Sequence, residues 1–154
     1  MEQAALSTQG RRLLQVGVAL LLFTSLEGFV IPYLAAPRLG LSVHTLSALQ
    51  AVLLLALGLV WPKLILRPRT SQIAFWLLIY SALAILAAYT MGAVWGAGNE
   101  TMRLAAGSAH GTALQEAAIK IVAYSSAPTG ITSFGLILWG LRNPRSSRAA
   151  LRDN

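Results

Sequence analysis

Ionisable side chains are rare in the apolar parts of this chain, and the few that occur there are the places to look for chemistry. His44 lies in the stretch Pro37-Arg38-Leu39-Gly40-Leu41-Ser42-Val43-His44-Thr45-Leu46-Ser47-Ala48-Leu49-Gln50. This reads as a short hydrophilic hairpin that delivers an imidazole to the mouth of the second of four apolar segments. The chain has no cysteine, which excludes disulfides, zinc–thiolate sites, iron–sulfur clusters and cysteine nucleophiles. An imidazole at a helix start in an apolar bundle suits the axial position of a haem iron. A lone histidine is also commonly a hydrogen-bonded packing residue. Glu27 interrupts the first apolar segment. An ionisable group in hydrocarbon costs at least ~2.5–3.5 kcal/mol, so such a residue usually faces a partner or a cavity. It could couple a proton or cation to transport, or serve packing alone.

The elements that must position these groups follow from composition. Of 154 residues 56% are hydrophobic and only 11% charged, against about a quarter in soluble domains. Four stretches, about 13–34, 45–61, 73–94 and 117–139, approach or exceed the ~20 apolar residues a bilayer requires. The expectation is a single all-α domain over 1–154, an integral membrane four-helix bundle with a basic tail at 142–154. The first apolar run outlasts the roughly 7–15 residues of a signal peptide, so Arg11-Arg12 is read as an anchor for a retained span. Pro62 and Pro68 bound the second loop, and Pro128 with Gly130 predicts a kink in the fourth span. Gly92 and Gly96 form a small-xxx-small pair that suits close helix packing.

Charge sets orientation. Arg11, Arg12, Lys63, Arg67, Arg69, Arg142, Arg145, Arg148 and Arg152 lie on one side, against Arg38, Arg103 and Lys120 on the other. By the positive-inside rule both termini are cytoplasmic, in a bacterial-type inner membrane. The net charge of +7 therefore points to anionic lipid, and no aromatic residues interleave it as a nucleic-acid groove would require. Counted by depth at ~1.5 Å per residue, Glu27 falls about two-thirds of the way out along span one. His44 and Gln50 occupy the outer half of span two, and Tyr89 that of span three. Lys120, Tyr124, Ser125 and Ser126 begin span four. The polar groups thus share one layer, either a site or a network that holds the bundle together.

Several strings, in order along nearly the whole chain, resemble a family of small four-span membrane isomerases. That family comprises the hydroxylaminobenzene mutases and their styrene oxide isomerase relatives. The strings are Pro37 to His44, Leu57-Gly58-Leu59-Val60-Trp61-Pro62, Ala74-Phe75-Trp76, Tyr80, Trp95-Gly96-Ala97-Gly98, Ala105-Ala106-Gly107, Gln115-Glu116 and Leu138-Trp139-Gly140-Leu141-Arg142. The resemblance is closest on the mutase side. It implies an intramolecular rearrangement without net redox. It also implies a homotrimer with haem b between subunits, whose iron acts as a Lewis acid on the substrate oxygen. The axial histidine of the isomerase branch matches His44, and its tyrosine over the substrate matches Tyr89. An asparagine six residues after that histidine is Gln50 here, and an aspartate falls near Ser81. The mutases carry glycine and asparagine shortly after the histidine, where this chain has Ser47 and Gln50. Glu27 lies outside the pattern. The substrate implied is an aryl hydroxylamine, giving an aminophenol, or an aryl epoxide, giving an aldehyde. Ser47, Glu27, Lys120 and Tyr124 are further pocket candidates. The competing readings are a small proton-coupled multidrug exporter using Glu27, an electron-transfer cytochrome b with His44 and His110 on one haem, and a structural subunit without chemistry.

Overall fold

The computed structural model describes residues 7–142, so the start of the chain and most of the basic tail, with Arg145, Arg148 and Arg152, lie outside the described residues. Its long helices are α1 (Thr8–Glu27), α2 (Pro37–Val60), α3 (Pro68–Trp95) and α5 (Ala113–Gly140), with a single-turn α4 (Arg103–Ala106) between α3 and α5. No strand occurs among the described residues. Three stretches, Pro37–Lys63, Pro68–Trp95 and Ala113–Gly140, are long and apolar enough to cross a membrane.

Local chemistry explains where the helices begin and end. Ser7 caps α1 by accepting a hydrogen bond from Gly10 N–H at 3.1 Å. The helix stops at Glu27, earlier than the expected end near residue 34. Pro32 lacks the N–H a continuing helix would need and disfavours helical backbone before it, so Ile31–Tyr33 form only a 3-10 turn. The expected hydrophilic hairpin is not present, because α2 is helical from Pro37 onward. Proline is well suited to the first helical turn, where its missing N–H has no partner to lose. The hydroxyls that make the stretch look hydrophilic turn back into the helix. Ser42 donates to Arg38 O at 3.1 Å and Thr45 to Leu41 O at 3.1 Å. α5 opens with a capping box between Thr112 and Gln115 and runs on through Pro128.

The long helices pack as two antiparallel hairpins, α1 on α2 and α3 on α5, joined where α2 lies against α3. Small residues let the first pair close: a Cβ on Gly10 would stand 2.7 Å from Gly58 O. Leu13, Leu39, Val43, Leu54, Leu78 and Ile119 fill the core. At one end Trp61 Nε1 donates to Gln9 Oε1 at 2.8 Å, and Ser71 Oγ donates to the same oxygen at 2.7 Å, tying α1, α2 and α3 together. α3 and α5 are stitched by Ser81 Oγ donating to Ser126 O and by Ser133 Oγ donating to Ala74 O, both at 2.8 Å. The glycine pair divides its labour. Gly92 packs against Leu39, whereas Gly96 ends α3 with φ of 64°, a left-handed cap that favours glycine.

Candidate functional site

Glu27 closes α1 and His44 lies two turns into α2, so the antiparallel hairpin sets them face to face. His44 Nδ1 is 3.2 Å from Glu27 Oε2. One turn further along the same interface, Thr24 Oγ1 and Ser47 Oγ are 2.7 Å apart. The spacing is three residues on each helix, which keeps both pairs on the contact face. Gly28 lies against the imidazole, since a Cβ there would be 3.4 Å from His44 Cε1. The Glu27 side chain is 9% exposed and that of His44 37%. The carboxylate is therefore inside the protein while part of the ring reaches the surface.

The second Glu27 oxygen, Oε1, is buried and has no hydrogen-bond partner. Glu27 lines an apolar cavity of about 290 Å³ with Phe23, Leu26, Val43, Thr90 and Val94. A neighbouring cavity of about 520 Å³ shares Phe23, Thr90 and Val94 and continues along α3 past Leu83 and Leu86. Together they make an apolar groove between α1 and α3.

The other sequence candidates fall in three places. Ser47 is fully buried and belongs to the polar interface just described. Gln50, six residues after His44, lies about 120° around the helix from it. It is buried, with its Oε1 unpartnered. Tyr89 is partly buried against the core and lines a separate cavity of about 360 Å³ with Thr101, Met102, Arg103, Leu104 and Ala105. It makes no hydrogen bond to His44. Lys120 and Tyr124 are exposed, one turn apart on α5, which packs on α3. They do not join Glu27, so the single polar layer expected from depth divides among separate surfaces. The reason is rotational: residues at similar positions along their helices can face different sides, and these two side chains are exposed. Ser81 is used in the α3–α5 contact. His110 is exposed in the loop before α5 and makes no hydrogen bond to His44.

Sequence reasoning missed one buried acid. Glu116 is 2% exposed, and its carboxylate accepts hydrogen bonds from the backbone N–H groups of Gly98 (2.8 Å), Gly111 (3.1 Å) and Glu100 (3.3 Å). It clamps both ends of the loop between α3 and α5. An acidic residue in a first helical turn after a glycine-bearing loop was the available signal.

An all-helical protein with membrane-length apolar helices, and a buried carboxylate bound to a half-exposed imidazole, is in class a membrane-type helical protein with a histidine site. The styrene oxide isomerase family model matches residues 9–142, and the chain belongs to that family. It is 42% identical over 138 residues to hydroxylaminobenzene mutase HabB of Ectopseudomonas oleovorans, covering 90% of this chain and 84% of that protein. It is 31% identical over 125 residues to hydroxylaminobenzene mutase HabA of the same organism, covering 81% and 93%. No solved structure matches. The protein is an isomerase of the mutase type.

Proposed function

We propose that the chain rearranges an aryl hydroxylamine to an aminophenol inside a membrane, with haem b held by His44. The observation that carries the reading is the placement of His44, a partly exposed imidazole at an apolar helix pair in a mutase-type isomerase. Similarity to two hydroxylaminobenzene mutases puts the hydroxylamine ahead of the aryl epoxide as substrate. Membership of an isomerase family also sets aside the exporter and the electron-transfer cytochrome.

The donor set fits haem. Among the described residues no three His, Cys, Asp or Glu side chains cluster to hold a bare ion. A haem iron needs only one protein ligand on a face, and His44 offers one. Leu26, Phe29 and Leu41, near Glu27 and His44 in sequence, are exposed and could meet an apolar macrocycle. When bound, haem iron supplies a Lewis acid for the substrate oxygen. Tyr89 orients that oxygen through its phenol O–H donor; the resemblance gives Gln50 the same part, and its side chain is buried about 120° around α2 from His44. Because Tyr89 lines a different cavity within one chain, this role requires a neighbouring copy. The reading therefore keeps a homo-oligomer, a trimer by resemblance. The groove between α1 and α3 admits the aromatic substrate from lipid, and its apolar lining excludes the water that would intercept the rearrangement. Overall the N–O bond breaks, a ring C–O bond forms, and a ring proton is exchanged for one on nitrogen, so no electrons are gained or lost.

In this reading α1 is a fourth span, its outer face carrying Val18, Leu22 and Leu26, and both termini are cytoplasmic in an inner membrane. The test is to incubate enzyme-bearing membranes with phenylhydroxylamine in ¹⁸O-water. Aminophenol that keeps the substrate's own oxygen supports the reading. Styrene oxide converted to phenylacetaldehyde, with phenylhydroxylamine untouched, would move the enzyme to the epoxide branch. Neither product would sink it.

A further inference from the structure

The pairing of Glu27 with His44 has a chemical consequence that a packing contact would not have. An imidazole carries two nitrogens, and the hydrogen bond made by one decides what the other can do. Glu27 Oε2 stands 3.2 Å from Nδ1, so a carboxylate there accepts the hydrogen of Nδ1–H. The lone pair then belongs to Nε2. The ring is also held in orientation, because the backbone at Gly28 lies against Cε1 and Nδ1.

We propose that Glu27 is a positioning residue for His44, fixing the tautomer and orientation that turn Nε2 outward as a metal ligand. The proposal rests on the reading of His44 as haem ligand and adds to it a residue outside the family's recognisable pattern. Three observations favour it over a structural bond. First, the register of α1 on α2 is already pinned one turn away by Thr24 and Ser47, so the helices do not need an acid for that purpose. Second, Glu27 is 91% buried by its 9% exposure, yet its Oε1 has no partner. Burying a carboxylate with half its acceptors unsatisfied is costly, and as glue a hydroxyl or amide would serve better. Third, the only partner of this carboxylate among the described residues is the imidazole, so its charge acts on Nδ1–H undivided by other donors. A carboxylate on the far nitrogen raises the basicity of a ligating imidazole, and loss of such a partner typically weakens metal binding about 10–100-fold.

The test compares the full-length enzyme with Glu27→Gln, which preserves shape and neutralises the carboxylate. Haem affinity and the ferric–ferrous midpoint potential are measured on both, with thermal melting as the control for folding. The expected result is about a 10–100-fold weaker haem affinity and a more positive potential, since an anionic partner favours the ferric state, with melting little changed. Affinity and potential equal to wild type would overturn the proposal. A second measurement stands even if Glu27→Gln does not fold. The chain has two histidines, so ¹⁵N NMR of haem-stripped His110→Ala protein reports His44 alone. A proton on Nδ1 supports the proposal, and a proton on Nε2 overturns it. Failure of the underlying reading looks different: a wild-type enzyme that binds no haem, whatever the tautomer of His44.

Discussion

Thr24 Oγ1 and Ser47 Oγ lie 2.7 Å apart, one helical turn from the contact between Glu27 and His44. The Thr24–Ser47 contact pins the register of α1 on α2, and that register sets Glu27 beside His44. A slip of one turn would leave a carboxylate opposite a serine and an imidazole opposite nothing.

Ser47→Ala should therefore cost stability without touching the imidazole. Ser47 is fully buried, but Thr24 would keep its hydrogen bond to Leu20 O at 2.8 Å, so no donor is orphaned. The expected loss is about 1 kcal/mol, the net value of one such hydrogen bond, read as a lower melting temperature in detergent. Haem content should stay that of the wild type.

Glu116→Ala should be more damaging and its effect local. Removing the carboxylate leaves the N–H groups of Gly98, Glu100 and Gly111 without their shared acceptor. With partial rescue by water, a cost of about 3 kcal/mol is expected. Limited proteolysis should show new cuts between residues 98 and 111 before the helices are attacked. Unchanged protease resistance would mean that the loop is held by something else.

Lys120→Ala and Tyr124→Phe test the separation of α5 from the site. Both side chains are exposed, while α5 packs on α3 through other positions such as Ser126 and Ser133. Each substitution should leave turnover within about twofold of wild type, as surface changes within ~0.5 kcal/mol do. A loss of tenfold or more in either would place α5 at the reacting centre, through a neighbouring copy.

Much of the fold was legible because it depends on composition and periodicity. Long apolar runs between prolines and basic clusters define the helices; Pro62 follows the end of α2 as expected, whereas Pro68 opens α3, five residues before the expected start at Ile73. The start of α2 was misread because Ser42 and Thr45 count as polar in a linear sequence, although their hydroxyls are satisfied by the preceding turn. At the site, the presence of ionisable residues in apolar segments was legible, and it singled out Glu27 and His44, which the fold sets in contact. Rotation about each axis was not, which is why Lys120 and Tyr124 were grouped with them. The partner of Glu27 was within reach of the sequence. Positions 24 and 27 on one helix, and 44 and 47 on the next, share a three-residue spacing that an antiparallel hairpin brings together. The partners of Glu116 are backbone N–H groups, which carry no residue-type signal, so only its place in the first turn of α5 pointed to it.

The most direct test of the central claim is the visible absorption spectrum of the purified enzyme, wild type beside His44→Ala, after haem supplementation during expression. The account predicts a Soret band in the wild type that is lost in the variant, together with loss of phenylhydroxylamine rearrangement. A colourless wild-type enzyme that still rearranges phenylhydroxylamine, or a Soret band that survives in His44→Ala, would contradict it.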